Sequence, residues 1–204
     1  NTLREAGRLD EAIVLLRQVI AQHPRFAEAH RDLAFALLLS GDLAAGWPEN
    51  EWRWETEEMR PKRRTFDRPV WRGENLAGRR LFIYTEQGFG DALQFVRLAA
   101  AVAGRGGQVI LECQPPLRRL FERAPGIHQL VVRGEPLPPF DFHIPLLSLA
   151  GVLDIRLATI PNHVPYLAVP PEASWSFSEN VGQASSLPVH GASSPAISGG
   201  RMPP

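Results

Sequence analysis

The sequence predicts an α/β protein: a helical hairpin at the N-terminus, then a unit built on a parallel sheet. Two observations carry this. The residues after Gly7 are echoed after Gly41, 34 positions on. From residue 79 to residue 170, short continuous apolar runs alternate with helical patterns. The stretch beyond Pro171 has neither feature. These differences divide the chain into four expected segments: 1–46, 47–78, 79–170 and 171–204.

Composition sets outer limits on function. Hydrophobic residues make up 44% and charged residues 22% of the 204 positions, so most of the chain can bury a core. Formal net charge is zero, which argues against a polyanion partner such as nucleic acid. The one basic cluster, Arg60 to Arg64 with the sole lysine Lys62, reads as a solvated linker. Cys113 is the only cysteine, so no disulfide forms within the chain and a reducing, cytoplasmic setting is expected. Cys113 lies in an apolar run and reads as a core residue. The longest uninterrupted apolar run, Leu33 to Leu39, falls far short of the ~20 residues of a membrane-spanning helix. No signal peptide is visible. The chain begins at Asn1, already in a helical pattern, and the N-terminus is expected to be truncated.

In the first segment, Gly7-Arg8-Leu9-Asp10 matches Gly41-Asp42-Leu43-Ala44, and Ala12 corresponds to Gly46. Pro24 falls where a helix should end. This period, with a glycine, a small residue five positions later and a terminal proline, resembles the tetratricopeptide repeat. The glycine permits a turn and the small residue lets two helices approach. Leu9, Ile13, Leu16 and Ile20 lie near helical spacing on one face, and Ala29, Leu33, Ala36 and Leu37 supply the next helix. About one and a half repeats are present, so a longer array is expected to precede them.

The second segment carries Trp47, Trp52, Trp54 and Trp71 among charged residues. Glu49 to Arg60 reads as a continuing helix, broken by Pro61, Pro69 and a turn at Gly73. Large aromatics beside charges suit docking between the repeat and the next unit; sugar stacking is the alternative.

The third segment offers four strands: Leu81 to Tyr84, Val109 to Leu111, Leu130 to Val132, and Phe140 to Ile144. Between them run helical patterns through Leu93, Val96, Ala100 and Val102, and through Leu117, Leu120 and Phe121. Gly104, Gly106 and Gly107 end the first pattern and Pro125-Gly126 the second. Continuous apolar strands with helical crossovers predict a parallel sheet covered on both faces. The tail, through Ser185-Ser186, Ser193-Ser194 and Gly199-Gly200, is expected to be disordered.

Chemistry concentrates in Glu86-Gln87-Gly88-Phe89-Gly90-Asp91, at the carboxyl end of the first strand, where open α/β sheets bind ligands. Gly88 and Gly90 allow close backbone approach, and Asp91 occupies an N-cap position. A glycine turn with a capped helix explains the same residues without any ligand. A dinucleotide loop fits poorly. Gly88 and Gly90 supply two glycines and Glu112 ends the second strand where a ribose-binding acid would sit, but the third glycine position is Leu93, and Asp91 would put negative charge where a pyrophosphate belongs. No phosphate-binding GxxxxGK loop and no GxSxG nucleophile elbow is present. None of the six histidines has metal-ligand spacing, so no metal or resident cofactor is expected. His143 ends the presumed fourth strand, on the same rim as Asp91, as either a ligand contact or a structural histidine.

Trp52-Arg53-Trp54, Trp71-x-Gly73, Leu76-Ala77-Gly78-Arg79 and Glu86 to Asp91 with Leu93-Gln94-Phe95 together resemble one family. It comprises bacterial tetratricopeptide proteins with a heptosyltransferase-like, GT-B glycosyltransferase domain. Pro136 to Asp141 and Ile160 to Leu167 fit the same pattern, so the resemblance covers residues 1 to about 170. It implies that residues 79–170 form the N-terminal, Rossmann-like half of a GT-B fold. That half holds the acceptor, and a nucleotide sugar is the co-substrate. Gly90-Asp91 maps onto the acceptor-activating carboxylate, with Asp91 as general base. Glu86, Gln87, Gly88, Phe89, Gly90, Gln94 and His143 are the implied substrate contacts. A carboxylate at a helix N-terminus is favoured as an anion, so positioning or electrostatic support is also open to Asp91.

The chain departs from the family after Pro170, where a second Rossmann-like domain is expected and a Ser/Gly/Pro-rich tail stands instead. A truncated copy with little turnover alone is the expectation. The competing expectation is a protein-binding module, with the repeat as recruiter and the α/β part as scaffold. The expected partners are thus a glycan or protein acceptor, or a protein docked on the repeat.

Overall fold

The computed structural model describes residues 7–168. The disordered tail expected for 171–204 lies outside the described residues.

Three helices open the fold: α1 (Leu9–Gln22), α2 (Ala27–Ser40) and α3 (Leu43–Asn50). Ile13, Leu16 and Ile20 of α1 pack against Leu33, Ala36 and Leu37 of α2, as their spacing predicts. Gly41 ends α2 in the left-handed region at φ 88°, where a side chain is strained. Its N–H donates to the Leu38 carbonyl and that of Asp42 to the Leu37 carbonyl, closing the helix end. Asp42 then caps α3, its carboxylate accepting from the Ala45 N–H at 3.1 Å. The small residue at Gly46 serves close approach, because a Cβ there would stand 2.7 Å from Leu38 Cδ2.

Glu49 to Arg60 does not continue as one helix. After Asn50 come two short 3₁₀ turns, Glu51–Glu55 and Arg60–Lys62. The Thr56 hydroxyl closes the turn between them, donating to the Arg53 carbonyl at 2.7 Å and accepting from the Met59 N–H at 3.4 Å.

The sheet holds β1 (Arg80–Tyr84), β2 (Gln108–Cys113), β3 (Gln129–Val132) and β4 (Phe142–Pro145) in the order β3-β2-β1-β4. Every pairing is parallel. The helical stretch after β1 is two short helices, α4 (Phe89–Phe95) and α5 (Leu98–Gly104). After β2 come a 3₁₀ turn, Pro115–Leu117, and α6 (Arg118–Phe121); α7 (Ser148–Val152) follows β4.

Both sheet faces are covered, but only one by helices. Leu81, Ile83, Val109, Leu111 and Ile144 share a core with residues of α4 to α7. On the other face Phe82, Tyr84, Ile110 and Val131 meet Phe66, Leu137 and Phe140, which belong to non-helical segments. The connections from β1 to β2 and from β2 to β3 run in one direction, so right-handed crossovers stack their helices on one side. The β3–β4 connection steps back across β2 and β1, has no helix, and lays Leu137 and Phe140 over the opposite face. β4 is not a bare edge: the Trp71 N–H donates to the His143 carbonyl and the His143 N–H to the Pro69 carbonyl.

The tryptophans join the repeat to the α/β part. Trp47 Nε1 donates to the Ile155 carbonyl at 2.9 Å, and its ring meets Phe95 edge-on. Trp52 stacks on His30 of α2 at 3.9 Å and an interplanar angle of 8°. Trp54 and Trp71 are buried. The basic cluster is not uniformly solvated. Arg64 lies over Phe66 and Tyr84, and binds the buried Glu112 carboxylate at 2.6 Å. Such stacking with an ion pair suits guanidinium, which is weakly hydrated and planar.

Candidate functional site

β1 delivers Thr85, Glu86 and Gln87 to the carboxyl rim of the sheet. The strand order reverses between β1 and β4, which makes their ends the topological switch point. Glu86 occupies it. Its carboxylate accepts from the Leu146 N–H at 3.0 Å and the Leu147 N–H at 3.2 Å, just past β4. Arg53 Nη2 donates to it at 3.1 Å, and also to Ser148 Oγ at 2.8 Å. Burial lifts the Glu86 pKa above its usual range, while Arg53 and the Leu147 N–H oppose the rise. The Glu86 side chain is only 2% exposed, so it clasps the rim instead of meeting a substrate.

The next residues form the turn into α4. The Gln87 carbonyl accepts from Gln114 Nε2 at 2.9 Å, which fixes the loop to the end of β2. Asp91 is not the N-cap of α4; Gly88 is, and Asp91 stands three residues inside. The Asp91 carboxylate accepts from the Gly88 N–H at 3.2 Å, satisfying a donor the helix leaves open. The two glycines do not need special dihedrals. Gly88 has φ −70° and ψ 176°, which any residue adopts. Gly90 lies inside α4, with open space where a Cβ would stand.

Asp91 borders a cleft of about 520 Å³, together with Gln94 and Phe95 of α4. Its opposite wall comes from the repeat: Phe35, Leu38, Leu43 and Trp47. The cleft is mainly apolar, with Asp91, Gln94, Asn50 and Arg97 as its polar groups. A carboxylate so placed can accept from a hydroxyl or an amide N–H presented along the cleft. Phe89 is half exposed and Gln94 is exposed.

His143 is not at this rim. It is the second residue of β4, in register with Phe82, and two positions short of the strand's end. Its ring packs 4.6 Å from that of Phe66 and lines a separate cleft. Burial lowers its pKa, against a backbone hydrogen bond to Arg68. The strand ends later than the apolar run suggested, because Pro145 still pairs with Tyr84. The expected grouping of Asp91 with His143 therefore does not form. Gly88, Phe89, Gly90 and Gln94 cluster around Asp91 on the turn and first turn of α4, while Glu86 is committed to Arg53.

Sequence reasoning missed Ser148 and Arg64 as polar residues of the rim, and weighed Glu112 only as a ribose-binding acid, whereas it is bound to Arg64. Glu112 sits within a strand's apolar run, and an isolated carboxylate in such a run is the signal that a buried partner exists. Cys113 is buried as expected, and burial pushes its thiol to about 11. Among the described residues no three His, Cys, Asp or Glu side chains gather as a metal site, and no helix is long and apolar enough to cross a membrane.

A family model for the tetratricopeptide repeat matches residues 3–46. That match coincides with α1, α2 and the start of α3, and with the glycine and small-residue positions described above. Protein FlbA of Caulobacter vibrioides is 33% identical over 93 residues, which is 44% of this chain. The chain spans 16% of that protein's length. No solved structure matches.

Proposed function

We propose that this chain is the acceptor-side part of a nucleotide-sugar-dependent glycosyltransferase, with the tetratricopeptide repeat as one wall of its acceptor cleft. The observation that carries this is the position of Asp91, whose carboxylate borders a cleft of about 520 Å³ closed on its far side by the repeat. The all-parallel sheet, with its loop at the carboxyl rim, agrees with the Rossmann-like half of a GT-B fold.

In this reading an acceptor hydroxyl donates to Asp91. As the hydroxyl oxygen attacks the anomeric carbon, the bond to the nucleoside diphosphate breaks and the proton passes to the carboxylate or to solvent. The Gly88 N–H holds that carboxylate in place, and Gln94 gives the acceptor a second polar contact. The apolar repeat wall excludes water and favours an acceptor with an apolar side, such as a polypeptide carrying Ser or Thr. Donor binding belongs to residues beyond the rim described, in a reducing, cytoplasmic setting.

A second reading has its own support. The tetratricopeptide match over residues 3–46 favours a protein-interaction module, with the α/β part as scaffold.

Titrating isotope-labelled chain with Ser/Thr peptides and with free saccharides tests both. The transferase reading expects amide shifts at Gly88 to Gln94 together with α2 and α3. Shifts confined to α1 and α2, unchanged in Asp91→Asn, would leave only the interaction module.

A further inference from the structure

We propose that the Asp91 cleft takes its occupant as an extended polypeptide strand, and that the side-chain amide of Asn50 reads the strand's backbone. This rests on the reading of the cleft as an acceptor site, and adds the class of acceptor and the residue that recognises it.

The first observation is an unmet amide. Asn50 is the last residue of α3 and is only 5% exposed, yet it lines the cleft. Its main-chain carbonyl accepts from Arg53 Nη1 at 3.1 Å, but among the described residues no hydrogen bond holds its side chain. The side-chain polar atoms that lack both a partner and accessible surface belong to other residues, so this amide still opens on the cleft. A buried amide without a partner forfeits the hydrogen bonds it makes in water, and an occupant would restore them. It presents an acceptor oxygen and N–H donors side by side. In an extended chain the N–H and C=O of one residue point to the same side, which is the matching pair.

The second observation is where the polar groups stand. Asp91 and Gln94 are three residues apart on α4 and so share a face, while Asn50 comes from the repeat side. Between them the cleft is mainly apolar, with Trp47, Phe95 and Leu147 in its lining. An extended strand suits that arrangement. Its hydrogen-bonding groups face its two edges, and its side chains stand on the two faces between them. One edge meets Asn50 and the other Gln94, while alternate side chains rest on the apolar lining. A free saccharide carries hydroxyls around its whole rim and would lose the hydration of most of them against these walls.

The third observation is charge. Asp91 is the cleft's one carboxylate, and its only hydrogen bond among the described residues comes from the Gly88 N–H. The one guanidinium of the cleft, Arg97, donates to the Pro161 carbonyl at 3.1 Å and lies 3.9 Å from the Tyr166 ring centre. It does not neutralise Asp91 by a direct pair. The cleft therefore favours a strand with a Ser or Thr hydroxyl or a basic side chain at Asp91, and rejects Asp or Glu there.

The test titrates the whole isotope-labelled chain with the blocked peptide acetyl-Ala-Val-Ser-Val-Ala-amide, with the same peptide N-methylated along its backbone, and with methyl glucoside. Saturable binding of the first peptide, with a shift of the Asn50 side-chain amide signals, is the expected result. Backbone N-methylation and Asn50→Ala should each weaken the affinity about tenfold, whereas Arg105→Ala, at an exposed position outside the cleft, should not change it. The methylated peptide makes the comparison without altering the fold, and an unchanged thermal midpoint checks Asn50→Ala. Peptide shifts at Gly88 to Gln94 with the Asn50 amide unmoved and N-methylation tolerated would overturn the proposal and leave the acceptor cleft standing. Methyl glucoside bound in the cleft more tightly than the peptide would do the same. No shift in the cleft with any of the three would overturn both.

Discussion

Arg53 and Glu86, 33 positions apart in the chain, meet at 3.1 Å with their side chains 3% and 2% exposed. One comes from the turn after the repeat and the other from the sheet's carboxyl rim. The same guanidinium reaches Ser148 past β4, so a single side chain ties three parts of the fold together.

Breaking this pair from one side should be costly. Arg53→Ala leaves a buried carboxylate with two N–H donors and no cation, and is expected to lose about 3–5 kcal/mol of stability. Glu86→Gln keeps an oxygen for Leu146 or Leu147 and should lose less. Urea denaturation of the two variants gives the order; equal losses would show that the charge itself matters little.

The His143 ring sets a pH dependence. Its folded pKa lies below the unfolded value of 6.5, so the unfolded chain binds the extra proton more readily. The contribution to stability is therefore full above pH 6.5 and is lost as pH falls through the lowered folded value. His143→Gln should flatten this part of the stability profile between neutral and mildly acid pH. An unchanged slope would place the responsible group elsewhere.

Gly126 is a site of backbone contact. It has φ 81°, and a Cβ there would stand 2.4 Å from Ala100 Cα. Neither the strain nor the clash can be relieved by a flexible side chain. Gly126→Ala should cost about 3 kcal/mol or more, read as a large fall in the thermal midpoint. Gly90→Ala, with open space at its Cβ, serves as the comparison and should change stability little.

Cys113 should be unreactive in the folded chain. Its thiol is buried and its pKa is raised to about 11, chiefly by burial and then by the charge of Glu112. Labelling with a thiol reagent at pH 8 is expected to proceed at the rate of unfolding and to become fast in denaturant. Fast labelling of the native protein would contradict the packing of β2.

The repeat is legible in the amino-acid sequence because its signals are local. Gly41 ends a helix through its own backbone angle, and Gly46 is small because the neighbouring helix lies within a few residues of sequence. The four strands can be read from their apolar runs for the same reason. Their boundaries are less exact at β4, where Pro145 stays paired with Tyr84 beyond the run's expected end. The helical continuation from Glu49 to Arg60 fails because a hydroxyl, Thr56, offers the backbone a different partner.

By itself the sequence determined the helical hairpin, the strand-helix alternation, the buried thiol and the loop from Glu86 to Asp91 as the place to look. Only the tertiary structure decided which side chains of that loop are free. It committed Glu86 to Arg53, set Asp91 beside a cleft walled by the repeat, and moved His143 to another cleft beside arginines. The division has a physical cause. Periodicity, turns and caps are settled by neighbours along the chain, whereas burial of a charge and the partner that offsets it depend on residues brought together from distant positions.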